Sequence, residues 1–329
     1  MNKFKKLVKR TISKVLWITI GISVLAVRAS AQRDPNPLKQ SGYDHIMLGD
    51  FEIIALSDGT IPQDLDKLLR TSPEKLNKLL ALNFQKNPVE ASVNAYLIRA
   101  NNKLILIDAG TAELYGPTLG HLSESLKRAG YSPEQIDAVL VTHIHTDHTG
   151  GLMDGNRMVF PNATIYVSKA EANYWLSPES YKSAPEAMKK YFVEAVTKVG
   201  PYEKAGKLKT YDYGHELFPG ITPIASPGHT PGHSFYAVES KGQKIVFWGD
   251  VIHSAAVQFP DPSVSIVYDV DPVAAVATRK KAFAEAAKDG YWVAGDHLSF
   301  PGIGHLRVNE TGKGYVWIPI NYSTYGTGQ

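Results

Sequence analysis

The chain has 329 residues, with 35 Lys or Arg, 32 Asp or Glu and no Cys, which gives a formal net charge of +3 at pH 7. The absence of cysteine excludes disulfides and thiolate metal sites, so stability must come from core burial and from any bound metal. The length would permit two domains. No low-complexity linker, charge block or Gly/Ser run divides the sequence, however, and this favours a single folded domain.

The first 31 residues have the pattern of a secretory signal peptide. Six basic residues precede an apolar stretch at residues 15–27, and Ala29-Ser30-Ala31 is a small-residue ending that suits cleavage before Gln32. The apolar stretch is short for a membrane span, and a retained anchor is the weaker alternative. We therefore predict an exported protein, periplasmic or secreted, without stable membrane insertion after cleavage.

Removal of this segment changes the charge balance. The segment holds seven basic residues and no acidic ones, so the mature chain has 28 basic residues (35 less 7) against 32 acidic residues, a formal charge of −4. The basic character belongs to the signal peptide, and we predict no nucleic-acid partner.

Short apolar runs separated by turn residues predict strands along the rest of the chain. They lie at residues 51–56, 93–99, 104–107, 138–141, 164–167, 235–238, 244–248, 291–294 and 315–318. Helix-like segments lie at residues 118–129, 169–176, 185–199 and 272–288. The last of these opens with Asp271-Pro272 and closes at Asp289-Gly290, which are typical start and stop signals. The pattern alone indicates a mixed α and β protein.

A cluster of metal-binding residue types follows the fourth predicted strand. Residues 142–151 read Thr-His-Ile-His-Thr-Asp-His-Thr-Gly-Gly, which places His143, His145, Asp147 and His148 within six positions. A loop that leaves a strand can direct residues i and i+2 to one side, so the first two histidines can share one cation while the other two residues face a second. Imidazole and carboxylate ligands suit Zn²⁺, with Mn²⁺, Co²⁺ and Fe²⁺ as alternatives.

Three further segments can complete two coordination shells. They are Ser226-Pro-Gly-His229-Thr-Pro-Gly-His233, Phe247-Trp-Gly-Asp250 and Gly295-Asp-His297-Leu, and each follows or ends an apolar run. The ordered set, from His-x-His-x-Asp-His to the late histidine, resembles the signature of the metallo-β-lactamase superfamily. The resemblance implies an α/β (α+β) fold, the four-layer αβ/βα sandwich, with a hydrolase domain at residues 46–329 after an N-terminal arm at residues 32–45.

The resemblance also implies a ligand assignment for two divalent metal ions, most simply zinc. The ligands would be His143, His145 and His229 for one ion, Asp147, His148 and His297 for the other, and Asp250 as a bridge. Two such ions bind a shared water, lower its pKa and present hydroxide to a carbonyl or phosphoryl centre. Asp147 and Asp250 are therefore also the candidate catalytic residues, and His233 is expected to be structural.

Two further aspartates are expected to support the metal ligands from outside. Asp108 ends the predicted strand at residues 104–107, where family members place a carboxylate that orients a metal-binding histidine. Asp58, in Leu-Ser-Asp-Gly-Thr, has the same interpretation. For both, the alternative is an aspartate that caps a turn.

A finer resemblance links the chain to the methyl parathion hydrolase group and its exported lactonase-like relatives. It rests on blocks at residues 48–60, 115–120, 256–259, 298–305 and 314–315. In that group aromatic side chains roof the metals and form the substrate cavity. The corresponding candidates here are Tyr115, Trp175, and Tyr191 or Phe192, although each can instead belong to the core.

The chain departs from methyl parathion hydrolases at cavity positions where those enzymes use particular small or cationic residues. The residues at these positions are Leu68, His253, Ile266 and Tyr268. Bulky Tyr268 and polar His253, close behind Asp250, are expected to narrow the cavity. A narrow cavity disfavours a tetrahedral phosphotriester and still admits a planar ester.

The leading hypothesis is therefore a dinuclear metal hydrolase that cleaves lactones or aryl esters, small-molecule substrates attacked at the carbonyl. Hydrolysis of organophosphate triesters is the alternative. An iron-dependent redox or binding module is the weakest hypothesis, because both halves of a dinuclear ligand set are present. Related enzymes often dimerise, so a homodimer is a further expectation.

Overall fold

The computed structural model describes residues 40–324. The predicted signal peptide at residues 1–31 lies outside this range, as do residues 32–39 of the predicted N-terminal arm, and both assignments stay predictions. The first strand begins at Tyr43, inside the segment assigned to the arm. Between residues 40 and 324, no helix combines the length and the hydropathy that crossing a membrane requires.

Fifteen strands, β1 to β15, occur within residues 40–324. In chain order they are Tyr43–Leu48, Phe51–Gln63, Val89–Ala100, Lys103–Ile107, Ala138–Leu140, Met153–Asp154, Arg157–Met158, Thr164–Ser168, Leu208–Tyr211, Ile221–Ala225, Ser234–Ser240, Gln243–Phe247, Trp292–Ala294, Ile303–Val308 and Tyr315–Pro319. Every strand predicted from the sequence is among them. Strands β1, β6, β7, β9, β10 and β14 are additional.

The same range contains nine α-helices, α1 to α9. They are Leu65–Leu68, Pro73–Leu82, Leu122–Arg128, Thr146–Thr149, Lys169–Trp175, Pro178–Ser183, Lys189–Lys204, Ala255–Gln258 and Pro272–Asp289. Single 3₁₀ turns occur at Ala112–Tyr115, Pro133–Gln135, Gly150–Leu152, Glu186–Met188 and Gly249–Val251. The four predicted helices correspond to α3, α5, α7 and α9.

The predicted C-terminal bound of α7 was wrong. The helix continues beyond residue 199, through Pro201, and ends at Lys204. Tyr202 accounts for the extension, because its buried hydroxyl donates to the carbonyl of Leu152 at 3.0 Å and accepts the N–H of Phe160 at 3.1 Å. This tertiary anchoring outweighs the helix-breaking tendency of proline.

The strands form two large sheets. The first has the order β1-β2-β3-β4-β5-β8-β9 and the second the order β10-β11-β12-β13-β14-β15. One hydrophobic cluster contains residues from the inner strands of both sheets, among them Ile53, Tyr96, Val238 and Phe247. A second cluster joins the first sheet to α3, α5 and α7, and a third joins the second sheet to α9. The result is the predicted four-layer αβ/βα sandwich.

Parallel pairing determines where the polar loops lie. In the first sheet β4, β5, β8 and β9 run parallel, and in the second sheet β12 and β13 run parallel. The loops that follow β4, β5, β12 and β13 carry Asp108, the His-x-His-x-Asp-His motif, Asp250 and His297. Because the carboxyl ends of parallel strands meet at one edge of a sheet, these distant segments are brought together there.

Candidate metal centre and active site

Three imidazoles and one carboxylate form a group that we call the first metal site: His143, His145, His229 and Asp250. Nδ1 of His145 lies 3.0 Å from Nε2 of His143 and 3.0 Å from Nε2 of His229. Oδ2 of Asp250 lies 3.2 Å from Nε2 of His229 and 3.6 Å from Nε2 of His143. The ligand atoms therefore converge on one point between three loops, those after β5, β10 and β12.

The second metal site consists of Asp147, His148, His297 and the same Asp250. Oδ1 of Asp250 lies 3.1 Å from Nε2 of His148 and 3.1 Å from Nε2 of His297. Oδ2 of Asp147 lies 3.4 Å from Nε2 of His297. Since Asp250 presents Oδ2 to the first site and Oδ1 to the second, its geometry is that of a bridging carboxylate.

The residues present suit two divalent cations. Within each site the ligand atoms lie within 4.8 Å of one another, and nearly all of these side chains are buried. Nε2 of His148 and Oδ1 of Asp250 have no hydrogen-bond partner within residues 40–324. Buried polar atoms without a hydrogen-bond partner are costly, and a bound cation would supply the missing partner of both atoms. The structure thus brings all seven predicted ligands together.

Hydrogen bonds to the outer ring nitrogens fix the orientation of three ligands. His148 donates through Nδ1 to Oδ2 of Asp108 at 2.8 Å, as predicted for this aspartate. His229 donates to Oδ1 of Asp269 at 2.9 Å. His297 donates to the carbonyl of Ser92 at 3.0 Å. Such partners set the tautomer in which Nε2 is free to bind a metal.

The metal-supporting interpretation of Asp58 was wrong, and the turn interpretation describes it better. Its buried carboxylate accepts the N–H groups of Thr111, Gly120 and Leu122, each at 3.0 Å, and the hydroxyl of Thr111 at 2.7 Å. It therefore supports the loop that carries Tyr115 and supplies partners for the first turn of α3. This anchoring explains why α3 begins at Leu122 and not at residue 118.

Burial and neighbouring charges give the metal-site histidines different pKa values. Burial lowers the pKa of His143 and of His145 well below the usual value. Burial also opposes protonation of His229 and His297, but the carboxylates of Asp250 and its neighbours outweigh it and raise both pKa values to about 9. Burial would raise the pKa of Asp250, yet the surrounding imidazoles hold it well below its usual range. The metal-free centre consequently carries protons that a cation must displace.

A cavity of about 530 Å³ opens above the two sites. Asp147, Asp250, His145 and His297 face it from below. Five predicted pocket residues line its walls: Leu68, Tyr115, Tyr191, His253 and Tyr268. The cavity has the size of a small-molecule site, and the aromatic and aliphatic side chains make its walls largely apolar.

Three other residues were wrongly assigned to the pocket. Trp175 is fully buried behind His145, with the two rings 5.2 Å apart, and Phe192 packs on Trp175 at 4.6 Å. Ile266 is also fully buried, in a bridge with Leu69. All three belong to the core that supports the cavity, because aromatic and aliphatic types alone do not distinguish a wall from the layer behind it.

Residues 89–297 match the family model described as the metallo-beta-lactamase superfamily. The match contains every proposed metal ligand. The chain belongs to the metallo-beta-lactamase superfamily.

Two solved structures match nearly the whole described chain. The hydrolase AbOPH is 40% identical with a TM-score of 0.82, over 87% of this chain and 99% of its own. AidC, a dizinc quorum-quenching lactonase in complex with its product N-hexanoyl-L-homoserine, is 31% identical with a TM-score of 0.80, over 86% of this chain and 99% of its own.

Curated relatives match over shorter stretches. An N-acyl homoserine lactonase of Bacillus sp is 28% identical over 46% of this chain and 60% of its own length. A ribonuclease of Thermus thermophilus is 28% identical over 55% of this chain and 40% of its own length. The chain thus spans less than two thirds of these curated relatives.

The centre also uses residues that the sequence did not identify as functional. Asp269 orients His229, and Asp296 lies 3.2 Å from Nδ1 of His148. His233, expected to be structural, accepts the backbone N–H of Asp250 at Nε2, at 3.1 Å. The position of Asp296 directly before His297 was the available signal. No sequence signal identified Asp269, because it follows His229 by 40 residues and lies on an irregular loop.

Proposed function

We propose that this chain hydrolyses lactones at a dinuclear zinc centre, with N-acyl homoserine lactones as the preferred substrates. The observation that carries the proposal is that two four-residue ligand groups share Asp250 beneath an apolar cavity of about 530 Å³. The likeness to AidC, which is a dizinc lactonase, over 86% of this chain supports it. The Bacillus lactonase adds support from sequence.

Zinc is the proposed metal because the donor set consists of imidazole nitrogens and carboxylate oxygens. When bound, two such ions lower the pKa of a water and polarise the substrate carbonyl. The chain's own residues supply the remaining functions. Asp250 holds the two ligand groups in one arrangement, and the outer carboxylates of Asp108 and Asp269 keep His148 and His229 in the binding tautomer.

Asp147 is the proposed proton carrier. Its side chain is 19% exposed, more than that of Asp250 or His148, and it lines the cavity. Ring opening of a lactone needs a proton on the leaving alkoxide oxygen, and a carboxylate at the cavity floor can accept a proton from water and deliver it there.

The cavity walls favour a substrate with an apolar chain. Leu68, Leu119, Met188 and Val267 line the cavity together with Tyr191. An acyl chain that lies along these side chains would bury apolar surface, at about 25 cal/mol per Å². The lactone ring would then lie over the ligand groups at the floor.

Aryl esters fit the same carbonyl chemistry, and organophosphate triesters remain the competing substrate class. His253 and Tyr268 bear on this choice, because both line the cavity with their rings 6.3 Å apart. His253 also donates to Oδ2 of Asp250 at 3.1 Å and stacks on His297 at 5.1 Å. The space above Asp250 is therefore bounded by two rings, which disfavours a phosphorus centre with three substituents.

Export, absence of nucleic-acid binding and a homodimeric state remain part of the proposal. Export depends on residues 1–31, and the absence of nucleic-acid binding on the acidic balance of the mature chain. Recovery of the mature protein from the periplasm or the medium tests export. The mass of the protein in solution tests the homodimer. An electrophoretic shift with RNA would contradict the absence of nucleic-acid binding.

The proposed substrate class is tested by comparing kcat/KM on N-hexanoyl-L-homoserine lactone, dihydrocoumarin and methyl parathion, with zinc-loaded and chelated protein. We expect both lactones to be hydrolysed at least about 100-fold more efficiently than the phosphotriester, and chelation to abolish all three activities. A preference for methyl parathion would refute the lactonase proposal.

The role of the two rings above Asp250 is tested by the double variant His253→Leu/Tyr268→Leu. It should raise kcat/KM on methyl parathion relative to kcat/KM on the lactones, and an unchanged ratio would contradict the steric argument.

A further inference from the structure

Glu171 is a buried carboxylate that the proposed chemistry does not use. It lies in the first turn of α5 and is fully buried. Oε1 accepts the backbone N–H of Ile144 at 2.8 Å. Oε2 accepts the hydroxyl of Thr230 at 2.8 Å and the backbone N–H of Gly232 at 2.9 Å.

These three donors belong to the two loops that supply the histidines of the first metal site. Ile144 lies between His143 and His145, in the loop after β5 of the first sheet. Thr230 and Gly232 follow His229, in the loop between β10 and β11 of the second sheet. One carboxylate thus joins ligand loops that come from different sheets.

The helix that carries Glu171 is itself fixed to the second loop. Ser168 caps α5 by accepting the N–H of Glu171 at 3.2 Å, and its hydroxyl donates to the carbonyl of Gly232 at 2.6 Å. A Cβ at Gly232 would collide with the backbone of Glu171, so only glycine permits this approach. One turn further along, Trp175 packs edge-on against His145.

The second metal site has different supports. His148 is oriented by Asp108 and His297 by the carbonyl of Ser92. The hydrogen bonds of Glu171 within residues 40–324 reach neither residue. Loss of Glu171 should therefore affect the two sites unequally.

The three donors also favour the charged form of Glu171. Burial raises the pKa of its carboxyl, and the hydrogen bonds from Ile144, Thr230 and Gly232 oppose that effect. An amide in its place would direct an N–H group at one of these donors, so Glu171→Gln removes a hydrogen bond while it preserves the volume of the side chain.

We propose that Glu171 is a positioning residue that selectively sets the zinc affinity of the first metal site by holding the two loops that carry its histidines at a fixed separation. The proposal rests on the ligand assignment and on zinc as the metal. It does not depend on which lactone or ester is the substrate.

The test is a chelator-competition titration of zinc on the full chain, with anomalous X-ray maps at the zinc edge to give the occupancy of each site. In Glu171→Gln we expect the affinity of the first site to fall about 10- to 100-fold. The second site should change by less than about threefold, and the variant should contain one firmly held ion after dialysis against a weak chelator. Thr230→Val removes one donor and retains the carboxylate, so it should shift the first site in the same direction by less.

Glu203→Gln is the matched control, because Glu203 is an exposed glutamate on α7 and its replacement should leave both affinities unchanged. Equal losses at the two sites, or no loss at either, would overturn the proposal. If Glu171→Gln does not fold, Thr230→Val decides the question by the same criterion. A wild-type chain that binds fewer than two zinc ions would refute the ligand assignment itself, and this proposal with it.

Discussion

Asp250 is the residue on which the two metal sites both depend. Its two oxygens face different sites, at 3.2 Å from His229 and at 3.1 Å from both His148 and His297. Its backbone N–H is in turn held by His233 at 3.1 Å. Because Asp250 belongs to both metal sites, its replacement must affect both sites together.

Asp250→Ala should therefore remove metal and activity together. We expect less than one zinc ion per chain after dialysis and a fall in kcat of at least about 1,000-fold, because each ligand group loses the carboxylate that the two groups share. Plasma mass spectrometry and lactone hydrolysis measure the two effects. Asp50→Asn, at an exposed carboxylate, is the control, and an Asp250→Ala variant that keeps two ions would contradict the bridging role.

Proton release on zinc binding follows from the raised pKa values of two ligands. Asp250 and its neighbours outweigh burial and raise the pKa of His229 and His297 to about 9, so both imidazoles are protonated in the metal-free chain at pH 7. Zinc binding at pH 7 should therefore release at least two protons per chain, and zinc affinity should increase with pH up to about 9. Calorimetry in buffers of different ionisation enthalpy counts the protons. A release that is zero at pH 7, or does not fall above pH 9, would contradict this electrostatic account.

The metal ligands can be predicted from sequence because they lie in short motifs at strand ends. Their supports cannot be predicted in the same way. Ser92 precedes its partner His297 by 205 positions, and Glu171 reaches Gly232 across 61 positions. A carboxylate or carbonyl at such a distance carries no local pattern, and only the packing of the two sheets brings it to the histidine or loop that it holds.

At the scale of elements, the loops around the centre depend on buried carboxylates more than on intrinsic propensity. Asp58 connects β2 with the loop at Thr111 and with the start of α3. The fourfold acceptor role of Asp58 explains why the helical pattern at residues 118–121 does not become helix. Helix α2 carries the signals of Ser72 and Pro73 and could have been predicted, whereas the short strands β6 and β7 pair only with each other and have no clear pattern.

Asp58→Ala should reduce stability without removing metal. It leaves four donors, three of them buried, without their acceptor, and we expect the free energy of unfolding to fall by about 3 kcal/mol. Denaturant titration measures this change, and zinc analysis should still give two ions per chain. A variant with full stability and reduced zinc would instead restore the metal-supporting interpretation of Asp58.

At the scale of the whole molecule, the centre joins the two sheets. The first metal site takes two histidines from the first sheet and one from the second, and Asp250 comes from the second sheet. The four-layer arrangement could be expected from the family resemblance, whereas composition and periodicity alone indicated only mixed α and β structure. The closing of the sandwich creates the ligand geometry, so metal binding and folding must be coupled.

Chelation should therefore destabilise the whole domain. A site loaded at about a thousand times its Kd contributes about 4 kcal/mol to the free energy of unfolding, and no disulfide compensates for its loss because the chain has no cysteine. Thermal unfolding of zinc-loaded and chelated protein measures the difference. Equal melting temperatures would show that the two sheets hold together independently of the metal.

The most direct test of the dinuclear lactonase is a zinc titration of the chelator-stripped protein, monitored by hydrolysis of N-hexanoyl-L-homoserine lactone. Because the ligands form two groups that share Asp250, we predict that the rate rises until two equivalents are added and then stays constant. Full activity with one equivalent, or in the absence of zinc, would contradict a reaction that needs both sites. No lactone hydrolysis at two equivalents would contradict the proposed function.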